Sequence, residues 1–547
     1  MPIWLGGWTP RHGAAIGIAL AVDPLGAGAA TLAGLLVLAA MVFSWRYFET
    51  VGPFFHALML AFLSGMVGFT LTGDLFNMFV FFELMSVAAY ALTGYSIEEP
   101  ASLQGALNFA VVNTIGGLFL LTGVGLLYGR TGALNMAQLG EALAGRPADG
   151  LVIVAFSLIA TAFLVKAAAV PFHFWLGDAY SVAPAPVGIV FAGTLSELGL
   201  YGLARVYWTV FAGSVGTDGV RPVLLVFGAI TALIGAVMCV EQRNLKRLVA
   251  FATVSHSGLI LIGLGLLEPP GLAGAAIYLA ADGAAKAALF VCLGILMHRL
   301  GNLDEDDLLG KGRRLPYTAV TFAVCGLALA GLPPFGTALG KGMMEEAAGE
   351  AGYAWVASVF VVASILTGGA ALRAAGRIFL GLGGREPRET PAERAADEER
   401  PETRGGRGRT PMMMASAAGL LLLTALAIGL WPRIDALVEA RAHRFEDRDS
   451  YASAVLAGQQ PPAAEVPSSS GVELTSNLLT AVGAVGVGLL GLYRHRIPEV
   501  VRGRVWGLVM RGVEGLRTVH SGELQDYVAW LTVGFALLGG AFALTVR

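Results

Sequence analysis

Apolar residues run along this chain in blocks of about twenty, separated by short polar stretches. A helix needs about 20 apolar residues to cross a ~30 Å hydrocarbon core. Fourteen blocks meet that length, near 29–47, 54–72, 74–96, 104–128, 151–180, 186–210, 221–241, 248–267, 272–297, 316–350, 354–380, 411–431, 474–493 and 527–546. The fifth and tenth are too long for straight helices and contain breakers, AVPFHFWLGD around Pro171 and GLPPFG from Gly331 to Gly336. The pattern predicts an all-α polytopic membrane protein with about fourteen transmembrane helices, two of them broken. Thirteen blocks follow the first, so the first is expected to be a membrane span and not a cleaved signal peptide.

Composition agrees. Of 547 residues, 56% are hydrophobic and 14% charged, against about 25% charged in soluble chains. The 74 glycines are roughly twice the usual share and suit helices that approach closely in a bilayer, whereas a porin-like barrel shows short alternating strands. A net charge of −3 gives no field for nucleic acid. Cys239, Cys292 and Cys325 lie in apolar runs without CxxC spacing, so no metal, cofactor or redox centre is expected in this chain.

Lys and Arg collect in loops after the seventh, ninth, eleventh and thirteenth blocks: 243–247, 299–314, 385–409 and 494–517. All four loops fall on one face, expected to be cytoplasmic, which puts both termini of a multi-pass cell-membrane protein outside. The expected organisation is a first span within 1–53, one repeat over 54–210, a second over 221–380, a disordered linker over 381–410, and a last core span with an outside amphipathic segment over 411–456. An extension over 457–547 adds two spans and a cytoplasmic surface helix.

Ionisable residues near block centres carry the candidate chemistry: Glu83, Lys166, Glu197, Asp282 and Lys286. A charge at a helix centre costs about 2.5–3.5 kcal/mol on insertion scales, so five together cost on the order of 15 kcal/mol unless they face a protein interior or water. His256, His173 and Lys341 accompany them. Ion pairs that merely fix helix register are the competing reading, and Asp282 and Lys286, four residues apart with the acid first, suit such a pair. Lys246 and Arg247 read as topology anchors in a cytoplasmic loop, and Asp74 and Asp178 as helix caps.

The polar centres recur: Glu83 and Lys166 are 83 residues apart, His256 and Lys341 are 85 apart. The second set lies five blocks after the first, and an odd offset inverts the second copy, as in inverted-topology repeats with one broken helix each. Burial disfavours a charged side chain and an opposite charge restores it. Alternating acids and bases linked by water therefore make a proton wire whose occupancy is pushed from one end.

Around these residues the chain resembles the antiporter-like subunits shared by Mrp-type sodium/proton antiporters, respiratory complex I and membrane-bound hydrogenases. The resemblance rests on LTGDLFNMFVFFELMSVAAYAL, FLVKAAAVPFHFWLGDAYSVAPAPV, NLKRLVAFATVSHSGL, AAKAALF and GLPPFGTALGK, spread between Gly6 and about Leu456. LGGWTP, VDPLGA and DRDSYASAVL look most like the D-type Mrp subunits. By that resemblance Glu83 lies near a neighbouring subunit and Lys166 is the central broken-helix lysine. His256 and Lys286 belong to the polar axis, and Lys341 is the second broken-helix lysine near the exit. The partners implied are other membrane subunits of the same assembly, protons, sodium and the lipid bilayer.

Three departures from the family pattern stand out. Glu197 in SELGLYGL occupies a position where a lysine is usual, and Asp282 one where a histidine is frequent. The chain also starts about two helices late and continues with two extra spans. A carboxylate at 197 is expected to hold the proton on Lys166 if the two are neighbours, with Arg205 as the competing partner. The function expected is a proton-translocating subunit of a multi-subunit sodium/proton antiporter. The alternatives are the same module as a translocase in a redox-driven complex, and a non-transporting coupling subunit of an ion or inorganic-carbon uptake complex.

Overall fold

A computed structural model describes residues 2–11, 14–45, 47–48, 52–384, 411–459, 474–493 and 522–546. Each of the fourteen apolar blocks contains helix. Among the described residues, eleven helices are long and apolar enough to cross a membrane, and three apolar helices, Gly150–Lys166, Pro316–Leu329 and Ser476–Leu492, are shorter. The all-helical expectation misses one small element, an antiparallel pair of strands, Pro2–Trp4 and Ala19–Ala21. Beyond it Asp23 caps the helix Pro24–Ser44 by accepting from the amides of Leu25 and Gly26. The expected surface helix and nearly all of the 381–410 linker lie outside the described residues.

Three helices form the centre: Ala185–Phe211, Leu245–Gly265 and Pro269–Leu300 are almost wholly buried. Met412–Leu430 and Leu524–Thr545 lie at the periphery, with most of their surface outward. Small residues permit the tight packing. A Cβ on Gly283 would strike the Gly193 carbonyl, and one on Gly235 would strike Ser255.

Both expected breaks occur, and they are built alike. After Lys166 the chain turns through Ala168 in the left-handed region, with Ala168 N–H donating to Val165 O (3.1 Å) and Ala169 N–H to Leu164 O (3.0 Å). After Leu329 it turns through Gly331, with Gly331 N–H donating to Ala328 O (3.0 Å) and Leu332 N–H to Leu327 O (3.0 Å). Prolines 171, 333 and 334 follow these turns, and without amide hydrogens they cannot continue the helical ladder. Helix resumes at Phe174 and Gly336.

A second correspondence lies upstream. Pro100–Thr131 and Pro269–Leu300 are both 32 residues long and end on a left-handed glycine, Gly132 and Gly301. The chain beyond each glycine pairs back in the same way, through the bridges Asp74 with Asn135 and Asn244 with Asp304.

The matching hydrogen bonds of the two break turns set a register between them. Lys166 ends the half-helix before the first break, whereas Lys341 lies in the half-helix after the second. With Val165 matched to Ala328, the counterpart of Lys166 is Leu329, and the counterpart of Lys341 is Asp178. The near-equal spacings of 83 and 85 residues therefore do not mark equivalent positions.

Candidate functional site

Four side chains from three helices make a continuous buried row. Lys286 Nζ donates to Glu197 Oε1 at 2.7 Å and lies 2.8 Å from Asp282 Oδ2. Asp282 Oδ1 is 2.6 Å from His256 Nδ1. All four residues are at most 1% exposed. The row continues through the ring of His256, whose Nε2 is 3.0 Å from Thr367 Oγ1. The Tyr278 hydroxyl stands 3.3 Å from Nδ1.

Hydrogen-bond accounting assigns roles here. The Thr367 hydroxyl donates to Ala363 O at 2.9 Å, so its oxygen accepts from His256 Nε2–H. On the other side one proton serves both His256 Nδ1 and the Asp282 carboxylate. With that proton on the ring, the row reads carboxylate, ammonium, carboxylate, imidazolium and is electrically neutral. Moving the proton to Asp282 gives a neutral acid beside a neutral imidazole.

Glu197 departs from its expected place. Its ion-pair partner is Lys286, not Lys166, and the alternative partner Arg205 is paired with Asp23. The cause is a widened turn, Phe191–Leu195, of π-helical geometry just ahead of Glu197, which re-registers the helix face. Gly199 takes the seat against Lys166, where a Cβ would lie 3.0 Å from Lys166 Cβ.

Lys166 is fully buried at the C-terminal end of its half-helix. Its Nζ donates to Ser86 Oγ at 2.6 Å, because the Ser86 hydroxyl hydrogen goes to Phe82 O. The ammonium also sits 4.7 Å from the Phe82 ring centre and 5.8 Å from that of Phe109, contacts that stabilise a cation without neutralising it. Glu83, one turn from Ser86, is half-buried. Its Oε1 has no hydrogen-bond partner among the described residues and lies over Gly117, where any Cβ would collide with it. Phe76, Val80, Leu84 and Val87 of the same helix are exposed.

Lys341 is fully buried, 3.7 Å from Glu345 Oε1. It donates to Thr480 Oγ1 at 2.9 Å, a residue of the helix Leu474–Leu492. His173 is buried at the first break, its ring against Phe174.

Two capping expectations divide. Asp74 caps its helix, accepting from Asn77 N–H at 2.8 Å. Asp178 is no cap: it lies inside Phe174–Val182 and accepts from Asn108 Nδ2 (3.0 Å) and the Tyr527 hydroxyl (2.8 Å). Lys246 is not a loop anchor either. Asn244 caps the next helix, drawing Lys246 inward to 2% exposure, and its ammonium donates to Ser181 O (3.3 Å) and Ala183 O (3.1 Å).

Sequence reasoning passed over Ser86, Tyr278, Glu345, Thr367 and Thr480. Thr480 and Asn477, three residues apart in an apolar block, were a legible sign of a buried polar face. Among the described residues no group of three or more His, Cys, Asp or Glu is placed to hold a metal ion.

Comparison with known proteins gives a consistent answer. A family profile described as "NADH:quinone oxidoreductase/Mrp antiporter, TM" matches residues 72–367. NADH-quinone oxidoreductase subunit N of Desulforudis audaxviator is 35% identical over 372 residues, covering 66% of this chain and 72% of that protein. The D-type subunit of the Na(+)/H(+) antiporter of Bacillus subtilis is 29% identical over 461 residues, covering 83% and 87%. Among solved structures, a chain of the Mrp complex from Dietzia sp. DQ12-45-1b matches with a TM-score of 0.71 and 30% identity, covering 83% of this chain and 89% of that one. The profile spans more than half of the sequence and includes every residue of the buried row, and the chain belongs to the NADH:quinone oxidoreductase/Mrp antiporter transmembrane family.

Proposed function

We propose that this chain is the proton-translocating membrane subunit of a multi-subunit sodium/proton antiporter. The observation that carries the reading is the unbroken row Glu197, Lys286, Asp282 and His256, in which neighbouring groups lie 2.6–2.8 Å apart. Flanking it are Lys166 at the first break and Lys341 at the second, with water completing the connections and Glu83 biasing Lys166 from the side of a neighbouring subunit. Glu197 and Asp282, the two acids that depart from the family pattern, are links in this row. That favours a working relay over a coupling subunit that no longer transports.

The two halves, 54–210 and 221–380, are read as inverted-topology repeats, supported by their matching turns and bridges. Both termini are placed outside. In support, Arg243 and the pair Glu305 and Asp306, from two loops read as cytoplasmic, meet Arg373 and Arg377 at the end of the span that leads into a third.

The test is proton flux in vesicles containing the purified assembly. Lys166→Ala is expected to abolish cation-coupled flux with assembly intact. Lys166→Arg also fails, because a guanidinium does not deprotonate in a protein. Undiminished flux in either variant overturns the reading. The relative named NADH-quinone oxidoreductase subunit N favours a second reading, the same relay inside a redox-driven complex. An assembly purified through this chain that carries redox-active partners and pumps on electron transfer selects it.

A further inference from the structure

The helices Leu474–Leu492 and Leu524–Thr545 reach the two broken helices at matching places. Counted from the break turns, Asp178 and Lys341 are equivalent. Asp178 accepts from Tyr527 of the last helix at 2.8 Å, and Lys341 donates to Thr480 of the preceding one at 2.9 Å. The last helix also packs on the first break, where Gly534 leaves room for Pro171 and Phe172. The other helix is seated by small residues. Gly369 meets Val487 and the Ala484 carbonyl, and Gly483 meets Ile365.

The face turned to Lys341 is polar within an otherwise apolar helix. Asn477 and Thr480 are fully buried. Asn477 Nδ2 reaches Ala338 O at 3.4 Å, and Ser476 Oγ reaches Glu345 Oε2 at 3.4 Å. Thr480 donates its hydrogen to Ser476 O at 2.8 Å, which fixes its hydroxyl oxygen as an acceptor aimed at the Lys341 ammonium. An apolar seam would need no polar side chains, so three of them in two turns are aimed at something, and what they meet is Lys341, Glu345 and the Ala338 carbonyl of the same half-helix.

We propose that Thr480 is a positioning residue for Lys341, so that the C-terminal extension forms one wall of the proton path. The proposal deepens the reading above and rests on it. With the acceptor at 480 in place, the ammonium is held at the seam between the second half-helix and the extension, in reach of Glu345. Without it, the amine turns toward Glu345 and leaves the seam.

The experiment compares proton flux and assembly for the whole complex carrying Lys341→Ala, Thr480→Val, Thr480→Ser, or Thr480→Ala. Expected are loss of flux in Lys341→Ala, a fall of about tenfold in Thr480→Val, the cost of one hydrogen bond to a charged group, and near-normal flux in Thr480→Ser, with all complexes assembled. Thr480→Ala carries the comparison if valine prevents assembly. Normal flux in Thr480→Val, or loss not rescued by serine, overturns the proposal. So does failure of both valine and alanine variants to assemble while serine assembles, because the role is then structural. If Lys341→Ala is inactive while Thr480→Val is normal, only this inference falls. If Lys341→Ala is fully active, the assignment of Lys341 falls with it.

Discussion

Replacing Lys286 by methionine removes the ammonium held between two buried carboxylates, 2.7 Å from Glu197 and 2.8 Å from Asp282. Asp282 keeps His256 at 2.6 Å, so Glu197 is the group left with an uncompensated charge. Removing one member of a buried pair costs about 3–5 kcal/mol. Glu197→Gln alone costs less, about 1–3 kcal/mol, because the amide oxygen still accepts from Lys286, whose ammonium keeps its contact with Asp282 at 2.8 Å. Combining the two changes removes the stranded charge, so the double variant is expected to be more stable than Lys286→Met by about 2 kcal/mol, which with the cost of Glu197→Gln alone makes a coupling of about 3–5 kcal/mol, at or above the upper end of the range for residues in contact. Flux should not return with stability, because the row has lost the group that links Glu197 to Asp282. The assay is a double-mutant cycle on unfolding of the purified complex, run beside dye-detected proton flux in vesicles. Additive stabilities refute the paired geometry, and flux restored in the double variant refutes the relay.

Other expectations follow from single contacts. Gly117→Ala places a methyl on the Glu83 carboxylate, which swings away at a cost of less than about 1 kcal/mol; flux should fall with assembly unchanged, and a normal rate counts against Glu83 as a bias on Lys166. Lys246→Met leaves the Ser181 and Ala183 carbonyls without their donor and should destabilise the protein by about 1–3 kcal/mol, measured as a lower Tm. Outside the spans, burial, with Glu268 nearby, pushes the Glu446 carboxyl up to about 8. Its folded value exceeds an unfolded one of about 4.3, so docking of Ile434–Glu446 weakens as pH rises from there through about 8. Glu446→Gln should abolish that dependence in hydrogen exchange of the helix, and an unchanged pH response would falsify the assignment.

Block length and breakers made the helices, both breaks and the buried ionisable residues legible, because the bilayer imposes its thickness on the sequence and prolines interrupt the ladder wherever they fall. Pairing was less legible. The sequence offers Lys166, if a neighbour, and Arg205 as partners for Glu197, and the widened turn at Phe191–Leu195 ahead of it, which brings it to Lys286 instead, leaves no mark in FAGTL. The recurrence of Glu83, Lys166, His256 and Lys341 looked like a repeat of functional positions. What the hydrogen bonds share is the pattern of the two break turns, around which the charges sit at different positions. Lys246 reads as basic loop from its neighbours alone, and only the Asn244 cap draws it indoors.

Lys246 belongs to the second half of the chain, yet it closes the open carbonyl end of Phe174–Val182 in the first half. A ribosome delivers residues 174–182 to the membrane well before residue 246, so that half-helix waits with its terminal carbonyls unserved until the eighth block arrives. The order of synthesis thus makes the first half a provisional structure, completed retroactively by the second. If the two halves were inserted as separate polypeptides, each would hold one side of an unfinished bond. The two stretches of chain are in this way not independent, and the far end of the half-helix after the first break is completed late in biogenesis.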